Sequence, residues 1–194
     1  ILKQGIYFNK RKHPFYKKYI YFLFGNRFST KKVIANSKKH FTIFNNFKNV
    51  VSSNTEYIEI FTNKKNISNG KSCSVILGTV FKEYYLKDYK LYIEKFQKFI
   101  NSIKSDVYYI NHPRDNNYKF NNIISINSDK IAEEIIVDLM KKYEFINLYG
   151  FMSTTQFNFI EHKNIIHHFL INNEKRVEEG IKLLDNKKIY IHKI

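Results

Sequence analysis

Three short loops of this chain carry side chains suited to holding an anion: Gly78-Thr79, His112-Pro113-Arg114 and Ser153-Thr154-Thr155. A glycine lets backbone N–H groups come close to a ligand, a histidine and an arginine supply charge-assisted donors, and hydroxyls beside a tight turn add neutral ones. Brought together, such a set cradles the phosphate of a nucleotide. Each loop also has a plainer reading, because a His before Pro shapes turns and a Ser or Thr after Gly caps helices. His13-Pro14 repeats the dipeptide with no strand before it, and there it opens a helix.

The surrounding pattern decides whether the loops meet. Cys73 to Leu77 is a short apolar run ending in Gly78-Thr79, and Tyr92, Phe96, Phe99 and Ile103 recur at helical spacing over residues 88–103. Asp106 to Ile110 reads as a second strand ending at His112-Pro113, and Asn122 to Ile126 as a third. Ser128 or Asp129 is placed to cap a helix over 130–143, with Ile131, Ile135, Leu139 and Tyr143 on one face and Glu133-Glu134 in its first turn. Phe145 to Tyr149 is a fourth strand, ahead of the Gly150 to Thr155 turn; Asn164 to Ile171 is a fifth, followed by a helix over 174–184. Strands alternating with helices imply an α/β fold, a Rossmann-like parallel sheet with flanking helices, and ligands in such sheets sit at the carboxyl ends of the strands. All three loops are at those ends.

The 194 residues, 43% apolar and 17% aromatic, bury a core and exclude global disorder. Tyr19 to Phe24 is the longest membrane-like run, far short of the ~18 apolar residues of a spanning helix. The lone Cys73 can make neither an internal disulfide nor a Cys-rich zinc site. Net charge is +16, and no acidic residue precedes Glu56, so residues 1–72 read as a basic amino-terminal arm or inter-domain segment and residues 73–194 as the nucleotide-binding domain. Within the arm a strand is expected near Gly5–Phe8 and a basic aromatic helix from Pro14 to Phe24. Beginning at Ile1, the sequence reads as part of a longer protein. The charge and the interleaved Tyr and Phe also fit an alternative, a basic nucleic-acid-binding domain without catalysis.

No P-loop, G-x-G-x-x-G or Asp-x-Asp pattern is present, which argues against P-loop NTPases, dinucleotide enzymes and a metal-clamped diphosphate donor. His162, His167 and His168 lack Cys or paired carboxylates at ligand spacing, so they read as structural.

The ordered set C-S-V-I-L-G-T-V-F (73–81), V-Y-Y-I-N-H-P-R-D (107–115), K-I-A-E-E-I-I (130–136) and N-L-Y-G-F-M-S-T-T-Q-F-N-F (147–159) resembles the carboxyl-terminal half of bacterial sialyltransferases of glycosyltransferase family 52. The resemblance implies the donor-binding half of a GT-B fold and an inverting, metal-independent transfer of sialic acid from CMP-sialic acid to a terminal galactose of lipooligosaccharide. It implies His112 as general acid or electrostatic partner of the leaving CMP phosphate, Ser153 and Thr154 as hydroxyl donors to it, and Glu134, or less favourably Glu133, on the cytidine ribose. Gly78, Thr79, Pro113 and Arg114 would line the donor. The base expected for the acceptor hydroxyl is Asp88, with Glu83 behind it; the related [DE]-[DE]-Gly motif occurs here only as Glu178-Glu179-Gly180, downstream and at a helix end. No cofactor or metal is expected. The implied partners are CMP-sialic acid, a galactose-ended acceptor, an anionic membrane at the cytoplasmic face of a Gram-negative inner membrane, a second copy of the chain, and no nucleic acid.

Overall fold

The computed structural model describes residue 23 and residues 38–43, 55–58, 69–84, 89–114, 118–171, 175–182, 184 and 188–194. The chain forms two compact units, Ile1–Ile60 with Glu179–Leu184 and Phe61–Glu178 with Asp185–Ile194. In the first unit β1 (His40–Thr42) and β2 (Thr55–Tyr57) pair in parallel, and Lys39 meets Glu56 at 2.7 Å. The strand expected at Gly5–Phe8 lies outside the described residues, and of the Pro14–Phe24 helix only Leu23 is among them.

The second unit is built on six strands: β3 (Ser72–Leu77), β4 (Val107–Ile110), β5 (Ile124–Ile126), β6 (Phe145–Gly150), β7 (Ile165–Ile171) and β8 (Ile189–Lys193). They lie in the order β5-β4-β3-β6-β7-β8, every pair parallel. Parallel neighbours require crossovers, and these carry α1 (Phe81–Tyr84) and α2 (Tyr89–Ser102) between β3 and β4, α3 (Ala132–Leu139) between β5 and β6, α4 (Thr154–Asn158) between β6 and β7, and α5 (Lys175–Lys182) between β7 and β8. The chain winds outward from β3 to β5, returns to β6 beside β3, and winds outward the other way to β8. Its direction reverses between β3 and β6, so the loops leaving those two strands part and open a crevice at their carboxyl ends. This is the Rossmann-like α/β sheet expected from the alternation.

β3 shows why the sheet needs two helical layers. Side chains alternate across a strand, so Cys73, Val75 and Leu77 pack with Ile135, Ile136 and Leu139 of α3 on one face, while Ile76 packs with Phe96 and Ile100 of α2 on the other. Ring contacts of Phe81, Phe96, Phe120 and Phe151 at 5.2 to 6.1 Å fill the second layer.

Two expectations are corrected. Neither Ser128 nor Asp129 caps α3; Ser128 Oγ accepts instead from Lys130 N–H at 3.1 Å, which shapes the loop and delays the helix until Ala132, with Ile131 as an N-cap that offers no side-chain bond. β8 was not anticipated, because Ile189 to Lys193 is a short, half-exposed edge strand in which only Ile189-Tyr190-Ile191 are apolar in sequence.

The histidines of β7 are core residues. His167 is fully buried with Nε2 3.0 Å from Phe159 O, and His168 lies 2.8 Å from His192 Nε2 and 3.2 Å from Asn147 Oδ1. Burial pushes both rings down to about 4. A histidine whose folded value lies below its unfolded value, about 6.5, contributes stability that is whole above pH 6.5 and is lost as pH falls toward 4. Urea midpoints measured between pH 7.5 and 4.5 are therefore expected to drop steeply below pH 6, and His168→Gln to flatten that drop.

Candidate functional site

A cleft of about 870 Å³ opens at the carboxyl ends of β3, β4 and β5, between the turn after β6 and the first turn of α3. It brings together Gly78, His112, Pro113, Ser153, Thr154 and Thr155, members of all three loops singled out by residue type.

Gly78 sets the geometry. Its N–H donates to Ile110 O at 2.8 Å, and a Cβ there would lie 2.8 Å from His112 N and 2.9 Å from Ile110 O. Only a residue without a side chain lets the exits of β3 and β4 lie this close. That contact seats His112 against the cleft. Its Nδ1 accepts from Arg114 N–H at 3.1 Å, which assigns the ring proton to Nε2 and leaves Nε2–H as a donor. Arg114 contributes its backbone to this turn; its exposed residue is not on the cleft wall. Thr79, one residue past Gly78, is buried and likewise absent from the wall.

Across the cleft, Ser153 is the N-cap of α4, and its Oγ accepts from Thr155 N–H at 3.3 Å. The plainer capping reading of this loop thus holds together with the other one, since a hydroxyl that accepts at its lone pairs keeps its O–H to donate. Met152, just before it, sits at φ 57, a left-handed conformation uncommon outside glycine.

Glu133, not Glu134, faces the cleft, and its Oε1 accepts from Asn158 Nδ2 at 2.9 Å. Successive helical residues point about 100° apart, so Glu134 is turned away and exposed. Asp88 lies outside the described residues, as does the side chain of Glu83. Glu178 is part of α5 and bonds Lys193 at 2.9 Å, an ordinary surface pair, while Glu179 follows it in the same helix.

Sequence reasoning missed the apolar wall of the cleft, made by Leu77, Ile110, Ile126, Ile131 and Ile135. Ile131 is 62% exposed at the lip. An isoleucine where a polar cap belongs was its signal. An aliphatic wall, the carboxylates of Asp129 and Glu133, an imidazole N–H and the hydroxyls of Ser128, Ser153, Thr154 and Thr155 suit a ligand with a flat ring, sugar hydroxyls and a phosphate.

A doubly wound parallel sheet with such a cleft at its strand ends is the architecture of Rossmann-like nucleotide-binding proteins. The chain belongs to glycosyltransferase family 52, whose family model matches residues 2–175. It is therefore a glycosyltransferase, one that takes a sugar from a nucleotide-sugar donor and passes it to a glycan acceptor. No curated protein matches it. Among the described residues no helix is long and apolar enough to cross a membrane, and no cluster of three or more His, Cys, Asp or Glu could hold a metal ion.

Proposed function

We propose that this chain binds CMP-sialic acid in the strand-end cleft and transfers sialic acid, with inversion and without metal, to a galactose-ended acceptor such as lipooligosaccharide. The observation that carries the reading is the convergence of His112, Ser153 and Thr154 on one cleft. The anomeric carbon of sialic acid is tertiary and bears a carboxylate, so its C–O bond breaks toward an oxocarbenium-like transition state while charge gathers on the departing phosphate. CMP leaves as a phosphate monoester with a second pKa near 6. At neutral pH it needs hydrogen bonds rather than a proton. A neutral His112 donating through Nε2–H, with the hydroxyls of Ser153 and Thr154, supplies them in a partly desolvated site.

Cytosine then lies along the aliphatic wall, and Glu133, its other oxygen free of the Asn158 bond, accepts from the ribose hydroxyls. Asp88 is the proposed base for the acceptor hydroxyl, which attacks from the face opposite CMP. A monophosphate leaving group needs no divalent ion to neutralise a diphosphate, in keeping with the missing Asp-x-Asp. In this reading residues 1–72 and 73–194 are the basic arm and the donor domain, the carboxyl-terminal half of a GT-B enzyme, and the arm holds the enzyme at an anionic membrane.

The direct test is transfer from CMP-sialic acid to lactose-ended acceptor in excess EDTA. Undiminished product formation supports the reading, and absence of product with or without magnesium contradicts it. Glu133→Gln is expected to weaken CMP about tenfold, the worth of one charge-assisted hydrogen bond, whereas Glu134→Gln leaves affinity unchanged; calorimetric Kd values check both.

A further inference from the structure

We propose that Gln156 is a positioning residue of the transfer site: it fixes the turn that presents Ser153 and Thr154 to the leaving phosphate. This rests on the donor reading above and adds a residue that does not itself border the cleft.

Gln156 is wholly buried. A buried primary amide is tolerated where its groups are bonded, and here each of them is. Nε2 donates to Leu148 O of β6 at 3.3 Å and to His168 O of β7 at 3.1 Å, while Oε1 accepts from Ser153 N–H at 3.3 Å. One side chain thus ties two central strands to the backbone of the residue whose hydroxyl faces the ligand. Three further features show that the turn is built around it. Gly150 has no side chain where a Cβ would lie 2.7 Å from Gln156 Oε1. Met152 takes its left-handed φ within the same turn. α4 has only five residues, too few to hold its shape without tertiary anchors. Without the amide, Ser153 N–H, Leu148 O and His168 O each lose a buried partner, and the turn is free to relax away from its strained geometry.

Two variants reach the amide from different sides. Gln156→Glu replaces the donor to both carbonyls with an acceptor in nearly the same volume, and Gly150→Ala pushes the unchanged amide aside. Each is titrated with CMP and with cytidine, which shares the base and ribose but has no phosphate. The expected result is that CMP binding weakens about tenfold in both variants while cytidine binding is unchanged. In a Ser153→Ala, Thr154→Val background, Gln156→Glu is expected to add no further loss of CMP affinity, because its effect passes through those hydroxyls.

Equal losses for CMP and cytidine, or undiminished CMP affinity in either folded variant, would overturn the proposal. Should Gln156→Glu fail to fold, Gly150→Ala alone decides it by the same comparison. Failure of the donor reading looks different: the wild-type chain would not prefer CMP. If it takes another nucleoside monophosphate, that nucleotide and its nucleoside replace CMP and cytidine in the comparison; if it takes none, both readings fall.

Discussion

Replacing His112 with alanine is expected to lower kcat for sialyl transfer by roughly 10²- to 10⁴-fold, the range lost when a positioned donor is removed from developing charge. The ring stands at the end of β4, where its Nδ1 accepts from Arg114 N–H and its Nε2–H is left to donate into the cleft. Alanine removes that donor while leaving β4 and its neighbours in register, so the far-ultraviolet spectrum and unfolding midpoint should stay close to wild type. CMP should also bind more weakly, since free CMP presents the same oxygens. A glutamine at 112 retains an N–H donor and should recover part of the loss. Steady-state kinetics with CMP-sialic acid, combined with CMP titration, separate the two effects. An alanine variant with wild-type kcat would remove His112 from the mechanism.

Gly78→Ala is expected to cost about 10²-fold in kcat/KM, together with about 1–3 kcal/mol of stability. The added methyl would meet the backbone nitrogen of His112 at 2.8 Å and the carbonyl oxygen of Ile110 at 2.9 Å. Backbone cannot rotate aside as a flexible side chain can. The exits of β3 and β4 must therefore separate, stretching the 2.8 Å bond from Gly78 N–H to Ile110 O and moving His112 relative to Ser153 across the cleft. Unlike His112→Ala, this variant keeps every donor and misplaces one. Its signature is a lowered kcat and a lowered thermal midpoint in the same protein. Loss of stability with full activity would mean that the spacing of β3 and β4 does not set the position of the histidine.

Strands β3 to β7 and helices α2, α3 and α5 were legible because their signal is periodicity, whereas the short pair β1–β2 and the edge strand β8 carry too little of it. Cys73 to Leu77, buried on both faces, is an apolar run broken only by Ser74, and Phe96 and Ile100 fall on the face of α2 that packs against the sheet. The three loops were legible for a related reason: parallel strands deliver their carboxyl ends to one side, so polar residues after successive strands meet without any knowledge of side-chain positions. Finer features depend on rotation and burial. Glu133 and Glu134 differ by about 100° around α3, and only the rotation of that helix on the sheet shows that Glu133 is the one bordering the cleft. The sequence Ser153-Thr154-Thr155-Gln156 has the spacing of a capping box, but only the fold shows that the glutamine also reaches carbonyls of β6 and β7. The Glu178-Glu179 pair, expected at the end of a helix, lies within α5 instead, with Glu178 in its first turn and bonded by Lys193.

A CMP site between Gly78, His112 and Ser153 has a distinctive binding signature. Calorimetric titration of the chain with CMP, repeated with UMP, AMP and GMP and with a short single-stranded RNA at two salt concentrations, tests it most directly. Saturable binding that prefers CMP, changes little with salt and weakens in His112→Ala is expected. RNA binding that falls steeply as salt rises, with no CMP binding beside it, would rule out a CMP site in this cleft and make the +16 charge of this chain the footprint of a nucleic-acid binder.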